Sequence, residues 1–349
     1  MSKREPKPIE RQKIGKKNKR SLILVGLGGL ITLGLGAVII GYSYLNYRYE
    51  TKPEGLESSV VFDVKRGSGL STIAAKLEKE ELIDSAFIFK AVTKMRGNES
   101  NFKAGEFEIK TPASQAEIYE SLANGKAVLY PVTIPEGLTS AQIMRIIKAA
   151  PSLTGDMPET PAEGTLLPET YLSPRGMTRK ALVAKMQKAQ TDLLDDLWEK
   201  RAPDLPIKTK REAIILASVV EEETGINSER GKVAGVFTNR LRRGMRLQSD
   251  PTIIYGINGG EKLGRGIRVS EIARKTDWNT YQMDGLPKTP ICNPGAAAIA
   301  AVLNPDDVDV LFFVTDGTGG HVFSKTNAEH AKHVRALRAR ERAQKRKKN

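Results

Sequence analysis

The chain has 349 residues and a formal net charge of +14, from 55 Lys and Arg against 41 Asp and Glu. The excess lies in two tails, since residues 1–20 hold nine Lys or Arg against two Glu, and residues 335–349 hold eight against one. The neutral remainder argues against a nucleic-acid partner, because such enzymes usually keep a basic face on the folded domain. The single cysteine, Cys292, excludes an intramolecular disulfide framework.

An uncharged segment runs from Ser21 to Tyr47, and a helix needs roughly 20 residues to cross a bilayer core. We predict a cytoplasmic basic tail over 1–20, a transmembrane helix over 21–45 and a linker over 46–59. Neither a short apolar core nor a small-residue cleavage site marks a removable signal. The cations before the span place the N-terminus in the cytoplasm and the rest of the chain outside the inner membrane.

Residues 60–134 are predicted to form a small α+β module. Strands and helices alternate along it: a strand at 60–64, helices at 70–77 and 88–95, a strand pair at 102–109, a helix at 114–123 and a strand at 128–134. Its size and element order are similar to LysM-type glycan-binding modules, with a plain spacer domain as the open alternative.

A larger domain follows over 135–334, beginning at a Pro-Glu-Gly turn and ending at the basic C-terminal tail, 335–349. Longer helices, one at 180–200, alternate there with loops rich in Pro, Gly and Asn, and 308–314 is a predicted strand. The chain is therefore assigned to the α+β class, with a single N-terminal membrane span.

The most informative segment of this domain is 209–224, TKREAIILASVVEEET. Thr209 and Glu212 predict a capping box at the start of a helix. Ile214, Ala217 and Glu221 recur at helical spacing, so Glu221 is expected to point from the face that buries the two apolar side chains. A carboxyl group is thus directed toward the core.

Glu221, Glu222 and Glu223 crowd the last turn before Gly225, where the helix macrodipole disfavours negative charge. Partial burial, neighbouring carboxylates and the dipole all raise a carboxyl pKa, as a general acid working near neutral pH requires. An ordinary solvated acidic helix end is the alternative. The next helix is predicted to be capped by Asn227 or Ser228 and to end at Gly244.

Loops rich in polar and aromatic residues follow, at 246–256, 278–281, 285–287, 293–295 and 319–323. Singly, such residues are common turn formers. Together with 163–171 and the EEET helix, however, these ordered motifs resemble the membrane-anchored endolytic murein transglycosylases of the MltG/YceG-like family over most of 60–333. Departures from the family pattern are Ser249 in place of Thr, Lys288 after Gly-Leu-Pro, and the basic tail.

The resemblance implies a YceG-like catalytic domain that cleaves the β-1,4 bond between N-acetylmuramic acid and N-acetylglucosamine within glycan strands, leaving 1,6-anhydro ends without water, metal or cofactor. Glu221 matches the catalytic glutamate of the family. The residues expected to bind substrate are Gln248, Ser249, Asp250, Asn279, Thr280 and Tyr281, with Glu223 and His321 as supporting residues. Expected partners are peptidoglycan strands, the lipid bilayer and peptidoglycan synthases.

Two other functions stay open: a non-catalytic glycan-binding scaffold for wall synthesis, and a two-carboxylate muramidase. A zinc hydrolase fits poorly because the chain has no HExxH motif and its three histidines lie at 321, 330 and 333. A pyridoxal-phosphate lyase is disfavoured, because that chemistry belongs on the cytoplasmic side of this predicted anchor.

Overall fold

The computed structural model describes residues 16–348 and contains two compact units, one ending at Val128 and the next starting at Leu129. Both units mix helices with short strands, as the α+β assignment predicts. The elements of the first unit are α1 (Lys16–Glu50), β1 (Ser58–Val64), α2 (Leu70–Lys79), α3 (Ala86–Met95), β2 (Gly105–Thr111) and α4 (Gln115–Ala123).

Helix α1 contains the predicted apolar span. Its segment Leu24–Glu50 is long and apolar enough to cross a membrane. The helix continues beyond the predicted end at Leu45, because Tyr49 is 1% exposed and packs on Phe89 with ring centroids 6.0 Å apart. The first residues of the predicted linker, 46–59, are therefore helical and join the core of the first unit.

The two strands of the first unit pair with each other. β1 and β2 run antiparallel, with Phe62 opposite Phe107, and both rings are fully buried. The predicted strand pair within 102–109 is wrong. Gly105 instead begins one strand whose partner lies much earlier in the chain, a non-local contact that the local pattern does not contain.

The strand predicted at 128–134 belongs to the second unit. It is β3 (Leu129–Thr133), which pairs antiparallel with β5 (Thr170–Pro174) and sets Val132 opposite Tyr171. Because both of these side chains are buried, the pairing ties β3 to the second core. The division between the units thus precedes the predicted boundary at 134/135.

The other elements of the second unit are α5 (Ser140–Ala149), β4 (Leu153–Thr154), β6 (Met177–Thr178), α6 (Arg179–Glu199), α7 (Lys210–Glu223), α8 (Asn227–Arg242), α9 (Asp250–Asn258), α10 (Val269–Ile272), α11 (Ala296–Leu303), β7 (Phe312–Thr315), β8 (His321–Ser324) and α12 (Asn327–Lys348). β4 pairs parallel with β6, and β7 pairs antiparallel with β8. Helices account for most of the regular secondary structure of this unit.

Helix α7 lies within the core of the second unit. All its residues from 213 to 220 are buried, and α8 and α11 pack against it. Phe237 of α8 and Val302 of α11 belong to the same apolar cluster as α7. The helix leaves the core only at its last turn, where its three consecutive glutamates lie.

The start of α8 differs from the prediction. Neither Asn227 nor Ser228 caps the helix, since the N-cap is Ile226 and no side chain caps it. The Asn227 amide oxygen instead accepts a hydrogen bond from Nη1 of Arg230 at 2.6 Å. The side chain available for capping is thus used to hold a guanidinium group.

The capping box predicted for α7 is confirmed. The Thr209 hydroxyl accepts a bond from the Glu212 N–H at 3.1 Å, and the Glu212 carboxylate accepts one from the Thr209 N–H at 3.1 Å. We expect Thr209→Ala to lower the free energy of unfolding by about 1 kcal/mol, because the Glu212 N–H loses the hydroxyl that accepts its hydrogen bond. Urea denaturation of the detergent-solubilised chain measures the change.

The matched control for this prediction is Thr191→Ala. The Thr191 hydroxyl is exposed on α6 and bonds only the Gln187 carbonyl within its own helix, so its loss should change stability by no more than about 0.5 kcal/mol. Equal losses in the two variants would contradict the capping role.

Candidate active site

The last turn of α7 places Glu221 at the edge of the second core. Its side chain is 6% exposed, and it follows the buried Ile214 and Ala217 along one helix face, as the spacing predicts. The turn holds three glutamates where a cation would complement the helix dipole. This setting disfavours the ionised form of the Glu221 carboxyl.

Two donors contact the Glu221 carboxylate. The backbone N–H of Gly295, which immediately precedes α11, donates to Oε2 at 2.9 Å. Nη2 of Arg230 on α8 lies 3.4 Å from Oε1. Arg230 is itself only 5% exposed, so the carboxyl group is held from two sides by groups fixed in the core.

The pKa of Glu221 is raised above its usual value, chiefly because burial disfavours the charged form. The nearby Glu136 carboxylate raises this pKa further, whereas the Gly295 N–H and the Arg230 guanidinium lower it. A general acid has to keep its proton near neutral pH, and the net upward shift favours that state.

The Pro-Glu-Gly turn before α5 reaches this site. Oε2 of Glu136 lies 3.8 Å from Nη2 of Arg230, the nitrogen that also contacts Glu221. Gly137 has a φ of 79°, a left-handed conformation that favours glycine, and its N–H donates to the Asn293 carbonyl at 3.2 Å. A second carboxylate is thereby placed near the first.

Asn293 is fully buried and joins three segments of the site. Its amide oxygen accepts a hydrogen bond from the Leu166 N–H at 3.0 Å. Its amide nitrogen donates to the Leu138 carbonyl at 3.1 Å, the Ser140 hydroxyl at 3.1 Å and the Glu163 carboxylate at 3.2 Å. One side chain thus fixes the loop before α11 against the loops on either side of α5.

A cavity of about 200 Å³ opens beside the end of α7. Tyr255 in its wall packs edge-on to Trp278, with ring centroids 5.4 Å apart. Glu222, an exposed residue, lies in the wall, whereas the buried side chain of Glu221 does not line the cavity. The lining residues are Gly137, Thr139, Glu222, Pro251, Ile254, Tyr255, Gly260 and Ile291.

Glu223 is paired with a residue of the next loop. Its carboxylate accepts a hydrogen bond from the Ser249 hydroxyl at 2.5 Å. Burial raises the pKa of Glu223 to about 7; Asp250 adds to the rise, and the Ser249 bond, His321 and Arg240 oppose it. Glu223 therefore takes up and releases a proton near neutral pH.

This shift predicts how stability depends on pH. Between the usual pKa of 4.5 and about 7, folded Glu223 keeps a proton that the unfolded chain has released. The free energy of unfolding therefore falls as pH rises through this window, by up to about 1.4 kcal/mol per pH unit. We expect Glu223→Gln to make the decline shallower in unfolding experiments across the window.

Glu199→Gln is the control for this pH series, since Glu199 is exposed at the end of α6. Its replacement should leave the pH dependence of stability unchanged. An unaltered slope in Glu223→Gln would contradict the assignment of a native-state proton to Glu223.

Three of the residues expected to contact sugar are buried: Ser249, Asn279 and Thr280. The Asn279 amide donates to the Ile272 and Arg274 carbonyls at 3.0 and 2.7 Å. The Thr280 hydroxyl accepts the Ser249 N–H at 2.9 Å. Their polar groups bond within the protein and hold the loop together, and substrate contact stays a prediction for these three residues.

The other three candidates lie nearer the surface. Gln248 and Asp250 are exposed, and the partly exposed Tyr281 donates its hydroxyl to Asp250 at 2.7 Å. Gln248 has a φ of 50°, a conformation that costs energy for residues other than glycine. The strained residue Gln248 and the Asp250–Tyr281 pair therefore present polar groups that a ligand can reach from solvent.

His321 pairs with the carboxylate of Glu229 in two ways. The backbone N–H of His321 donates to this carboxylate at 3.0 Å, and the ring Nδ1 of His321 lies 2.8 Å from it. The His321 ring also packs on Phe313, and its charge lowers the pKa of Glu223. Among residues 24–343, whose side chains the structure describes, no group of three or more His, Cys, Asp or Glu is arranged to hold a metal ion.

The sequence interpretation missed Glu136, Arg230 and Asn293. Glu136 and Asn293 lie in turns, where no periodicity marks a functional side chain. Arg230 did carry a signal, since Arg230, Val233 and Phe237 recur at helical spacing and all three are buried. A cation on that face indicates a buried anionic partner.

A partly neutralised glutamate, held at a helix end by an arginine and a backbone N–H, defines a candidate acid–base site on an α+β domain. The model of the YceG-like family matches residues 62–336, which include every residue of this site. The chain belongs to the YceG-like family.

Two related proteins carry the name endolytic murein transglycosylase. The one from Bacillus subtilis strain 168 is 28% identical over 328 residues, covering 85% of this chain and 89% of that protein. The one from Streptococcus pneumoniae strain D39 is 28% identical over 340 residues, but this chain spans only 60% of its length. A solved YceG-like protein from Listeria monocytogenes, 28% identical, covers 79% of this chain and 99% of its own, with a TM-score of 0.48.

Proposed function

We propose that this protein is a membrane-anchored endolytic lytic transglycosylase of peptidoglycan, with Glu221 as its single acid and base. The observation that carries the proposal is the Glu221 carboxyl, 6% exposed and raised in pKa, at the end of the buried helix α7. The relatives named endolytic murein transglycosylases support the substrate class. The proposed products are glycan strands that end in 1,6-anhydro-N-acetylmuramic acid.

One carboxyl is sufficient for this reaction. Glu221 donates its proton to the glycosidic oxygen as the bond from C1 to that oxygen breaks. The C6 hydroxyl of the same N-acetylmuramic acid then attacks C1, and the Glu221 carboxylate takes the hydroxyl proton. A hydrolase needs a second carboxyl to activate water or to attack the sugar, whereas here the substrate supplies the nucleophile.

For substrate contact we propose the exposed end of the loop around α9. Gln248, Asp250 and Tyr281 offer amide, carboxylate and hydroxyl groups there, of the kinds that bind sugar hydroxyl and acetamide groups. Ser249, Asn279 and Thr280 keep this loop in place from inside. Glu223 supports this loop through its hydrogen bond with Ser249, and His321 acts electrostatically on Glu223.

The membrane topology is part of the proposal. The Lys and Arg excess in residues 1–20 favours a cytoplasmic N-terminus, with both units on the outer face of the inner membrane. The first unit, in which an antiparallel strand pair brackets α2 and α3, is proposed to be a LysM-like module. Nascent strands and the synthases that make them are the proposed partners.

Two alternatives predict different results. A glycan-binding scaffold would bind strands without changing their length. A two-carboxylate muramidase is favoured by one observation, the presence of Glu136 near Glu221. In the proposed mechanism Glu136 does not touch the sugar, and the positive charge of Arg230 offsets the negative charge of Glu136.

Digestion of purified sacculi by the detergent-solubilised protein tests the function. We expect the mean strand length to fall early while anhydro ends accumulate, since cuts within strands shorten them faster than they release small fragments. Bound strands of unchanged length would support the scaffold and contradict the proposed enzyme.

A further inference from the structure

Arg230 lies between two carboxylates and is bound tightly by neither. Its Nη2 is 3.4 Å from Oε1 of Glu221 and 3.8 Å from Oε2 of Glu136, whereas Nη1 donates to Asn227 at 2.6 Å. Nε is buried without a hydrogen-bond partner among the described residues. Since Asn227 anchors one end of the guanidinium, a small rotation either shortens the long hydrogen bond of Nη2 to Glu221 or brings Nη2 into hydrogen-bond range of Glu136.

The backbone makes room for Glu136 at this place. A Cβ atom on Gly295 would lie 1.8 Å from Oε1 of Glu136, although the Gly295 φ of −75° suits any residue. A side chain at this position would therefore displace the Glu136 carboxylate, while the backbone conformation would accept it. The same Gly295 donates its N–H to Glu221, so the fold reserves space for both carboxylates around one residue.

We propose, resting on the function proposed above, that Glu136 is a positioning residue that draws Arg230 away from Glu221 while Glu221 holds its proton. After Glu221 has given that proton to the glycosidic oxygen, the new carboxylate attracts Arg230. When Glu221 takes the proton of the C6 hydroxyl, it becomes neutral and Arg230 returns to Glu136. One arginine thus serves both the acid step and the base step, and the proton count is restored.

The groups that face Glu221 come from several elements. They are Glu136 from the turn before α5, Arg230 from α8, Cys292 from the loop before α11, and Glu222 beside it on α7. Burial keeps the pKa of the Cys292 thiol well above its usual value, so this group stays neutral. Arg230 and Glu136 are then the two opposed charges that act on Glu221 from outside its own helix.

Glu136→Gln is the direct test, with the pH dependence of anhydro-end formation as the readout. Without the Glu136 charge, Arg230 remains with Glu221 and stabilises its ionised form. We expect the alkaline limb of the pH profile, where the rate of anhydro-end formation falls as pH rises, to move to lower pH by about 1 unit. Gly295→Ala keeps both charges but displaces the Glu136 carboxylate, and it should move the limb in the same direction.

The matched control is Asp309→Asn. Asp309 is an exposed carboxylate that contacts Arg243 at 3.6 Å and Lys325 at 3.2 Å, so its loss should leave the profile unchanged. In an Arg230→Gln background, the shift caused by Glu136→Gln should shrink, because the residue on which Glu136 acts is gone.

If Glu136→Gln lowered the rate of anhydro-end formation by the same factor at every pH, the proposal would be overturned, and the role of Glu136 would be structural. A full shift in the Arg230→Gln background would overturn the part assigned to the arginine. If Glu136→Gln does not fold, an unmoved limb in Gly295→Ala is the overturning result. Activity retained by Glu221→Gln would defeat the proposed function itself, whereas an inactive Glu221→Gln with an unmoved Glu136→Gln limb defeats only this inference.

Discussion

Glu221→Gln is expected to lower the rate of anhydro-end formation by at least about 10³-fold, because removing a general acid–base group that serves both proton transfers forfeits its contribution. The amide keeps an oxygen that accepts the Gly295 N–H and removes a buried acid of raised pKa. The variant should therefore fold, with an unfolding temperature equal to or above that of the parent chain. Mass analysis of digested sacculi measures the rate.

Glu222→Gln is the matched control, since Glu222 is the next residue on the same helix end. Its side chain lies in the cavity wall, and we expect its replacement to lower the rate by less than about 10-fold. The reverse outcome, an inactive Glu222→Gln beside an active Glu221→Gln, would move the acid to the neighbouring side chain and contradict the assignment made from helix geometry.

Asn293→Ala is expected to cause the largest loss of stability of any single change considered for the second unit. The substitution leaves the buried Leu166 N–H without its acceptor and removes the amide that donates to the Ser140 hydroxyl and the Glu163 carboxylate. The Leu138 carbonyl keeps the backbone N–H of residue 293. Unsatisfied buried groups cost about 1 to 3 kcal/mol each, so we expect a loss of about 3 kcal/mol or more. The unfolding temperature should fall by roughly 6 °C or more. Thermal unfolding of the purified chain measures both quantities.

Asn258→Ala is the control for this loss. The Asn258 amide is exposed and donates a single bond to the Glu261 carbonyl at 2.8 Å, so its removal should cost less than about 1 kcal/mol. Activity should fall with Asn293→Ala as well, because the Asn293 side-chain amide donates to the carbonyl of Leu138, which follows the turn of Glu136. A stability change in Asn293→Ala no larger than in Asn258→Ala would contradict the role of this side chain.

The proposed acid, Glu221, could be singled out from the sequence because its signals are local. The capping box of Thr209 and Glu212 fixes the first turn of α7, and 3.6 residues per turn then fix the direction of Glu221. The burial of Glu221, which is the main cause of its raised pKa, follows from that direction. The family motifs pointed to the same residue by an independent route.

The partners of the acid could not be found in the same way. Glu136, Arg230 and Gly295 meet only after a turn, a helix and a loop, distant in sequence, have packed around α7. For Asn279 the residue type did not indicate burial, because an amide in a polar loop can donate to internal carbonyls as readily as to a sugar. Whether a polar side chain faces inward or outward is decided by loop conformation, which has no periodicity to read.

The central claim is that the substrate, and not water, supplies the nucleophile to a site with one catalytic carboxyl. Digestion of sacculi in water enriched in heavy oxygen, followed by mass spectrometry of the new ends, tests it directly. The account predicts 1,6-anhydro ends that carry no heavy oxygen at C1. Reducing ends labelled with heavy oxygen at C1 would contradict it, and would assign Glu221 and a second carboxylate, with Glu136 the nearest candidate, to a hydrolase.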